Sequence, residues 1–86
     1  MASVEQVMGQ IGQAKDQAEQ GAQLLQSAET EVGHAQQAFQ QASQGSNQSE
    51  ASDVNNMFTH ALQKISEARD AVGAAMNGAE SYAGRL

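Results

Sequence analysis

His34 and His60 are the only imidazoles in this 86-residue chain, and an imidazole near a carboxylate is what a metal centre or a general base requires. Glu31 precedes His34 by three residues and Glu67 follows His60 by seven. No two histidines stand four residues apart, however, which is the spacing that puts a ligand pair on one helix face. Both histidines fall on positions that point away from the apolar pattern described below, so solvated surface imidazoles are the expectation. Glu29 with Glu31, and Asp16 with Glu19, are carboxylate pairs in sequence only. Two slender helices offer no enclosed cleft in which a carboxyl group could be desolvated or water excluded. The chain contains no glycine-rich phosphate loop after a strand, no nucleophile partnered by a histidine, and no aromatic residues interleaved with basic ones. These residues predict a protein that is not an enzyme and that carries neither a metal nor a cofactor.

Composition narrows the field further. Ten acidic and four basic residues leave a net charge of −6, which disfavours phosphate backbones and anionic lipid surfaces, so nucleic acid is not an expected partner. Cysteine, proline and tryptophan are absent, and with them any disulfide framework. The N-terminus lacks the basic and apolar blocks of a signal peptide, and no apolar run approaches the roughly 20 residues needed to span a bilayer. A cytoplasmic chain is expected, any export proceeding without a cleavable signal.

The elements that must carry these side chains are legible in their period. Small or apolar residues recur at alternating steps of three and four: Val4, Val7, Ile11, Ala14, Ala18, Gly21, Leu25, Ala28, Val32, Ala35, Phe39 and Ala42. A period near 3.5 is that of a coiled-coil helix and excludes a strand. Ser3 with Gln6 forms a candidate capping box. After the polar stretch Gln44-Gly45-Ser46-Asn47-Gln48-Ser49 the rhythm resumes at Val54, Phe58, Ala61, Ile65, Ala68, Val72, Ala75, Ala79, Tyr82 and Leu86. One domain over residues 1–86 is expected: a helix over about 3–44, a loop over about 45–50 and a helix over about 51–84. A short connection makes the helices antiparallel.

Large residues alternate with small ones in both stripes, so Ile11, Leu25, Val32, Phe39, Phe58, Ile65, Val72 and Tyr82 are expected in the hairpin seam against alanines. Folding at about Ser46 sets Val32 against Ala61, Ala28 against Ile65, Leu25 against Ala68 and Gly21 against Val72. That register matches Glu31 with Lys64. A slip of one heptad would match Glu29 with Arg69 and lengthen the loop.

Such a seam is thin. At about 25 cal/mol per Å² of buried apolar surface, an alanine layer contributes far less than a leucine layer. Seven of the eight glycines also lie inside helical spans, at about 0.8–1 kcal/mol each relative to alanine. A second apolar set flanks the seam: Met8, Ala22, Leu24, Ala38, Met57, Leu62, Ala71, Met76 and Ala83. Two readings of it compete. It either widens the intramolecular seam or meets another helical hairpin in a four-helix bundle, where methionine suits an adaptable contact. The glutamines that run from Gln6 to Gln26 are read as an uncharged solvated face.

The length, the two amphipathic helices, the turn at Gly45-Ser46-Asn47 and the Ala/Gln/Glu-rich composition resemble the WXG-type helical-hairpin family of type VII secretion systems over the whole chain. Gln44-Gly45-Ser46 stands where that family has Trp-x-Gly. Tyr82 matches the tyrosine of its C-terminal export motif, with Leu86 in place of the acidic residue four positions on. The resemblance implies a hairpin that dimerises with itself or with the helical leader of a secreted effector, as targeting partner or chaperone. A structural or adaptor coiled coil unrelated to secretion is the alternative.

Overall fold

A computed structural model describes residues 1–45 and 48–86. It contains two antiparallel helices, α1 (Val4–Ala42) and α2 (Gln48–Gly84), and no strand among the described residues. The all-α hairpin expected from the period is therefore observed.

Each end of α1 has a local cause. The Gln6 backbone N–H donates to Ser3 Oγ at 3.1 Å and the Ser3 N–H donates to Gln6 Oε1 at 3.0 Å, so the capping box satisfies two backbone donors reciprocally. At the far end the Ser43 N–H still reaches Phe39 O at 2.9 Å, while the Gln44 N–H turns to Gln41 O at 3.4 Å, a tightening typical of a last turn. Gly45 follows with φ of 81°, a left-handed conformation that a side chain would strain. The expected fold point at Ser46 lies outside the described residues. α2 begins at Gln48, three residues before the expected start, and α1 stops two residues before its expected end.

The molecule is a rod with extents of 65 × 17 × 15 Å. None of the described residues is fully buried. Two helices touch along one line only, so even Phe39 and Phe58, whose ring centroids lie 6.0 Å apart, keep part of their surface in water. No described helix is long and apolar enough to cross a membrane.

The contact line is rotated from the one the spacing predicts. On α1 the half-buried positions are Val7, Ile11, Ala18, Leu25, Val32 and Phe39 together with Lys15, Ala22, Glu29, Gln36 and Ser43, and Gly21, Ala28 and Gly33 beside them. On α2 they include Phe58, Ile65, Val72 and Ala79 together with Asn55, Leu62, Arg69, Met76 and Ala83. The large members of both predicted stripes thus keep their places except toward the open end of the rod, where Val4 and Leu86 are exposed. Tyr82, expected in the seam, is 54% exposed. Most of the alternating small members are displaced outward: Ala14, Ala35, Ala42, Ala61 and Ala75 are exposed, while Gly21, Ala28 and Ala68 stay half-buried. Area explains the rotation. Turning each helix by a fraction of a residue step exchanges Ala61 and Ala75 for Leu62 and Met76, which remove more apolar surface from water.

The predicted charge match is also replaced. Glu31 lies 3.9 Å from His34 and Lys64 lies 3.5 Å from Glu67, each within its own helix. Across the seam Arg69 pairs with Glu29 at 3.3 Å. That pair was expected only with a slipped register and a longer loop, yet it forms across a connection of five residues, Ala42 to Gln48. Both residues stand on the rotated contact line, where the length of the arginine side chain closes the gap.

Candidate interaction surface

Residues seven apart form rows along a helix, and each row sits at a fixed angle to the contact line. Starting from the seam, the rows divide the hairpin into two unlike sides.

One side is polar. The row beside Lys15, Ala22 and Glu29 contains Glu19, Gln26 and Gln40, and its counterpart on α2 contains Ser52, Thr59, Ser66 and Glu80. The hydrogen bonds and ion pairs seen between the helices gather here. Lys15 Nζ reaches Glu80 Oε2 at 3.1 Å. Gln36 Nε2 donates to Asn55 Oδ1 and to Thr59 Oγ1, both at 3.1 Å, and Gln40 Nε2 donates to the same Asn55 oxygen at 2.8 Å. A shallow open groove lined by Glu19, Gln23, Gln26, Asp70, Asn77 and Glu80 runs along this side. The period did not point to the amide network. Its signal is a four-residue spacing on both helices, Gln36 with Gln40 and Asn55 with Thr59, at matched distances from the loop.

The other side is apolar. The row roughly 60° beyond Ile11, Leu25 and Val32 at 3.6 residues per turn consists of Ala14, Gly21, Ala28, Ala35 and Ala42, and the matching row of α2 consists of Val54, Ala61, Ala68, Ala75 and Tyr82. No charged or hydrogen-bonding side chain interrupts these ten positions except the phenol of Tyr82. A groove lined by Ala14, Ala18, Ala75, Met76 and Ala79, with the stem of Lys15, opens on this side. Leu24, 71% exposed, and Met57, 67% exposed, stand one row further out with exposed Ala38 and Ala71.

The flanking set predicted from the sequence is therefore divided. Ala22, Leu62, Met76 and Ala83 belong to the intramolecular seam, whereas Leu24, Ala38, Met57 and Ala71 border the alanine face. Met8 lies on the seam row near the free end of the rod and is 47% exposed.

The chemistry-bearing residues are dispersed. Glu31, Val32, Gly33 and His34 place an acid and an imidazole one turn apart, but among the described residues no three His, Cys, Asp or Glu side chains come close enough to hold a metal ion. Glu29 is engaged by Arg69, and Glu31 points away on the outer margin. A built Cβ on any of the glycines meets nothing within 4 Å, so no close approach inside the hairpin calls for them. The chain matches no known protein family model, no curated protein and no solved structure.

Proposed function

We propose that this chain is a non-catalytic protein–protein interaction module whose alanine face docks another helical hairpin, either the helical leader of a secreted effector or a second copy of itself. The observation that carries the proposal is the width of the apolar pattern. The row Ala14, Gly21, Ala28, Ala35 and Ala42 of α1 and the row Val54, Ala61, Ala68, Ala75 and Tyr82 of α2 extend the apolar seam on one side of the large residues that the helices set against each other. In these rows Ala14, Ala35, Ala42, Ala61, Ala75 and Tyr82 are exposed and Gly21, Ala28, Val54 and Ala68 are only half-buried, and an apolar strip left in water is the kind of surface that marks an interaction site. Small residues on that face let a partner helix approach to the short end of the 8–10 Å interaxial range. The place within type VII secretion rests on the resemblance of length, hairpin architecture and composition, and a role as targeting partner or chaperone follows from it.

Light scattering over a range of concentrations, alone and with candidate effector leaders, tests the docking role. Association is expected, and Ala61→Glu on the alanine face should abolish it while Gln26→Glu on the polar side leaves it intact. A folded monomer that binds no leader would overturn the proposal.

A further inference from the structure

The hairpin is not equally closed along its length. Stepping seven residues at a time in opposite directions from Phe39 and Phe58, whose ring centroids lie 6.0 Å apart, the contact line sets Val32 with Ile65, Leu25 with Val72, and then Ala18 with Ala79. Three consecutive layers join large residues. The fourth joins two methyl groups and removes far less apolar surface from water. Open grooves flank that level on both sides of the rod, and Lys15 and Met76 line both of them, so two flexible side chains form the wall between. Beyond the gap Val4, Met8, Tyr82 and Leu86 are exposed.

Helix propensity and polar ties follow the same division. Gly9, Gly12, Gly21, Gly73, Gly78 and Gly84 all lie beyond the Leu25–Val72 layer, and of the helical glycines Gly33 alone stands on the loop side of it. A Cβ at any of them meets nothing, so their cost in helix propensity is not offset by closer packing inside the hairpin. In the loop half Gln36 and Gln40 both reach Asn55, and Glu29 meets Arg69. Toward the open end, among the described residues, the tie from helix to helix is Lys15–Glu80 at 3.1 Å.

We infer that the hairpin works as a pair of tweezers: residues 1–24 and 73–86 form two arms that part about the Leu25–Val72 layer while the loop half stays closed, and the Lys15–Glu80 pair is the clasp between them. Opening of part of a fold draws on its least-packed region. Once parted, each arm is a glycine-bearing helix without a packed face, which is marginal in water, so its backbone amides exchange with solvent. Ala14 rides on one arm and Ala75 and Tyr82 on the other, whereas Ala35, Ala42 and Ala61 belong to the loop half. The alanine face is therefore continuous along the rod only while the clasp is shut. The opening concerns contacts inside one chain and stands or falls apart from the docking role.

Hydrogen–deuterium exchange of the full chain in dilute solution, read by mass spectrometry, tests the opening. Amides of residues 13–23 and 74–81, inside the arms and away from the chain ends, should exchange about tenfold or more faster than those of residues 28–38 and 59–70. Equal protection in the two regions would overturn the inference. Val32→Ala separates opening from global unfolding, because it weakens a layer that the parting arms leave intact. Loop-half exchange should quicken about tenfold or more while arm exchange changes less than about twofold; acceleration of both by one factor would overturn the inference. Ile65→Val makes the same comparison more gently where circular dichroism shows that Val32→Ala has lost helix. Lys15→Gln should quicken arm exchange about two- to fivefold, the effect of a partly exposed ion pair. Glu80→Gln should match it, and the double variant should be no faster than either alone, since one contact is lost only once. Arms indifferent to both substitutions, or effects that add, would overturn the clasp.

Discussion

The polar and the alanine sides of this hairpin border one seam and arise from the same two helices, yet the ties seen across it among the described residues lie on the polar side. Lys15–Glu80, Glu29–Arg69 and the Gln36–Asn55–Thr59 network span it, while opposite them Ala14, Ala35, Ala61 and Ala75 face outward. Hydrogen bonds and ion pairs are directional, so the polar side specifies which residue meets which. Apolar contact is not directional and scales with area. The alanine side is therefore free to take its geometry from whatever covers it. Register within the chain is thus specified on one side of the rod, and the association proposed above falls to the other.

The comparison breaks most severely at the border both sides share. Phe58→Ala removes one ring of the Phe39–Phe58 pair between the helices. Thermal denaturation followed by circular dichroism should show a loss of about 2–3 kcal/mol, below the range for fully buried phenylalanine because this one is half-buried. Next in size is Ala35→Glu on the bare side. It should weaken association about tenfold or more by placing an unpaired charge in the interface, while the same test on Gln26→Glu should show no change.

A smaller effect sharpens the polar side. Gln36→Ala should cost about 1 kcal/mol in urea unfolding, the usual worth of a partly exposed hydrogen-bonding side chain, and it should leave the association constant unaltered. The glycines give the finest discrimination. Gly33→Ala on the polar side should stabilise the hairpin by about 0.8 kcal/mol through helix propensity alone, since a Cβ there meets nothing. Gly21→Ala should bring the same gain to the isolated hairpin. In the associated state that gain should shrink or reverse, because the new methyl group faces the partner.

Much of the fold can be read without coordinates. The 3.5-residue period, the Ser3–Gln6 cap and the polar break near Gly45 each act over a few residues, so local chemistry specifies them and the structure contains all three. The large seam residues were legible as well, since Leu25, Val32, Phe39, Phe58, Ile65 and Val72 lie toward the contact line for any small rotation of the helices. The small ones were not. Ala14 and Lys15 are neighbours in sequence, and only the packed pair decides which of them turns inward.

The candidate surface was legible in part for the same reason. Leu24 and Met57 stand far enough from the large row to remain outside under either rotation. Leu62 and Met76 lie within a single residue step of Ala61 and Ala75, and their greater area draws them into the seam. The Glu29–Arg69 pair and the amide network depend on two helices meeting at a particular angle, which no spacing along one helix contains.

Sequence alone determined that two apolar-striped helices reverse about a polar turn, because helix period, capping and turn formation are local. It also determined that a row of small apolar residues runs beside the large ones on both helices. Tertiary structure decided which two rows the hairpin keeps for itself, since that depends on the areas and polar bonds gained when both helices rotate together. The alanine row became the outward side of the seam only through that choice.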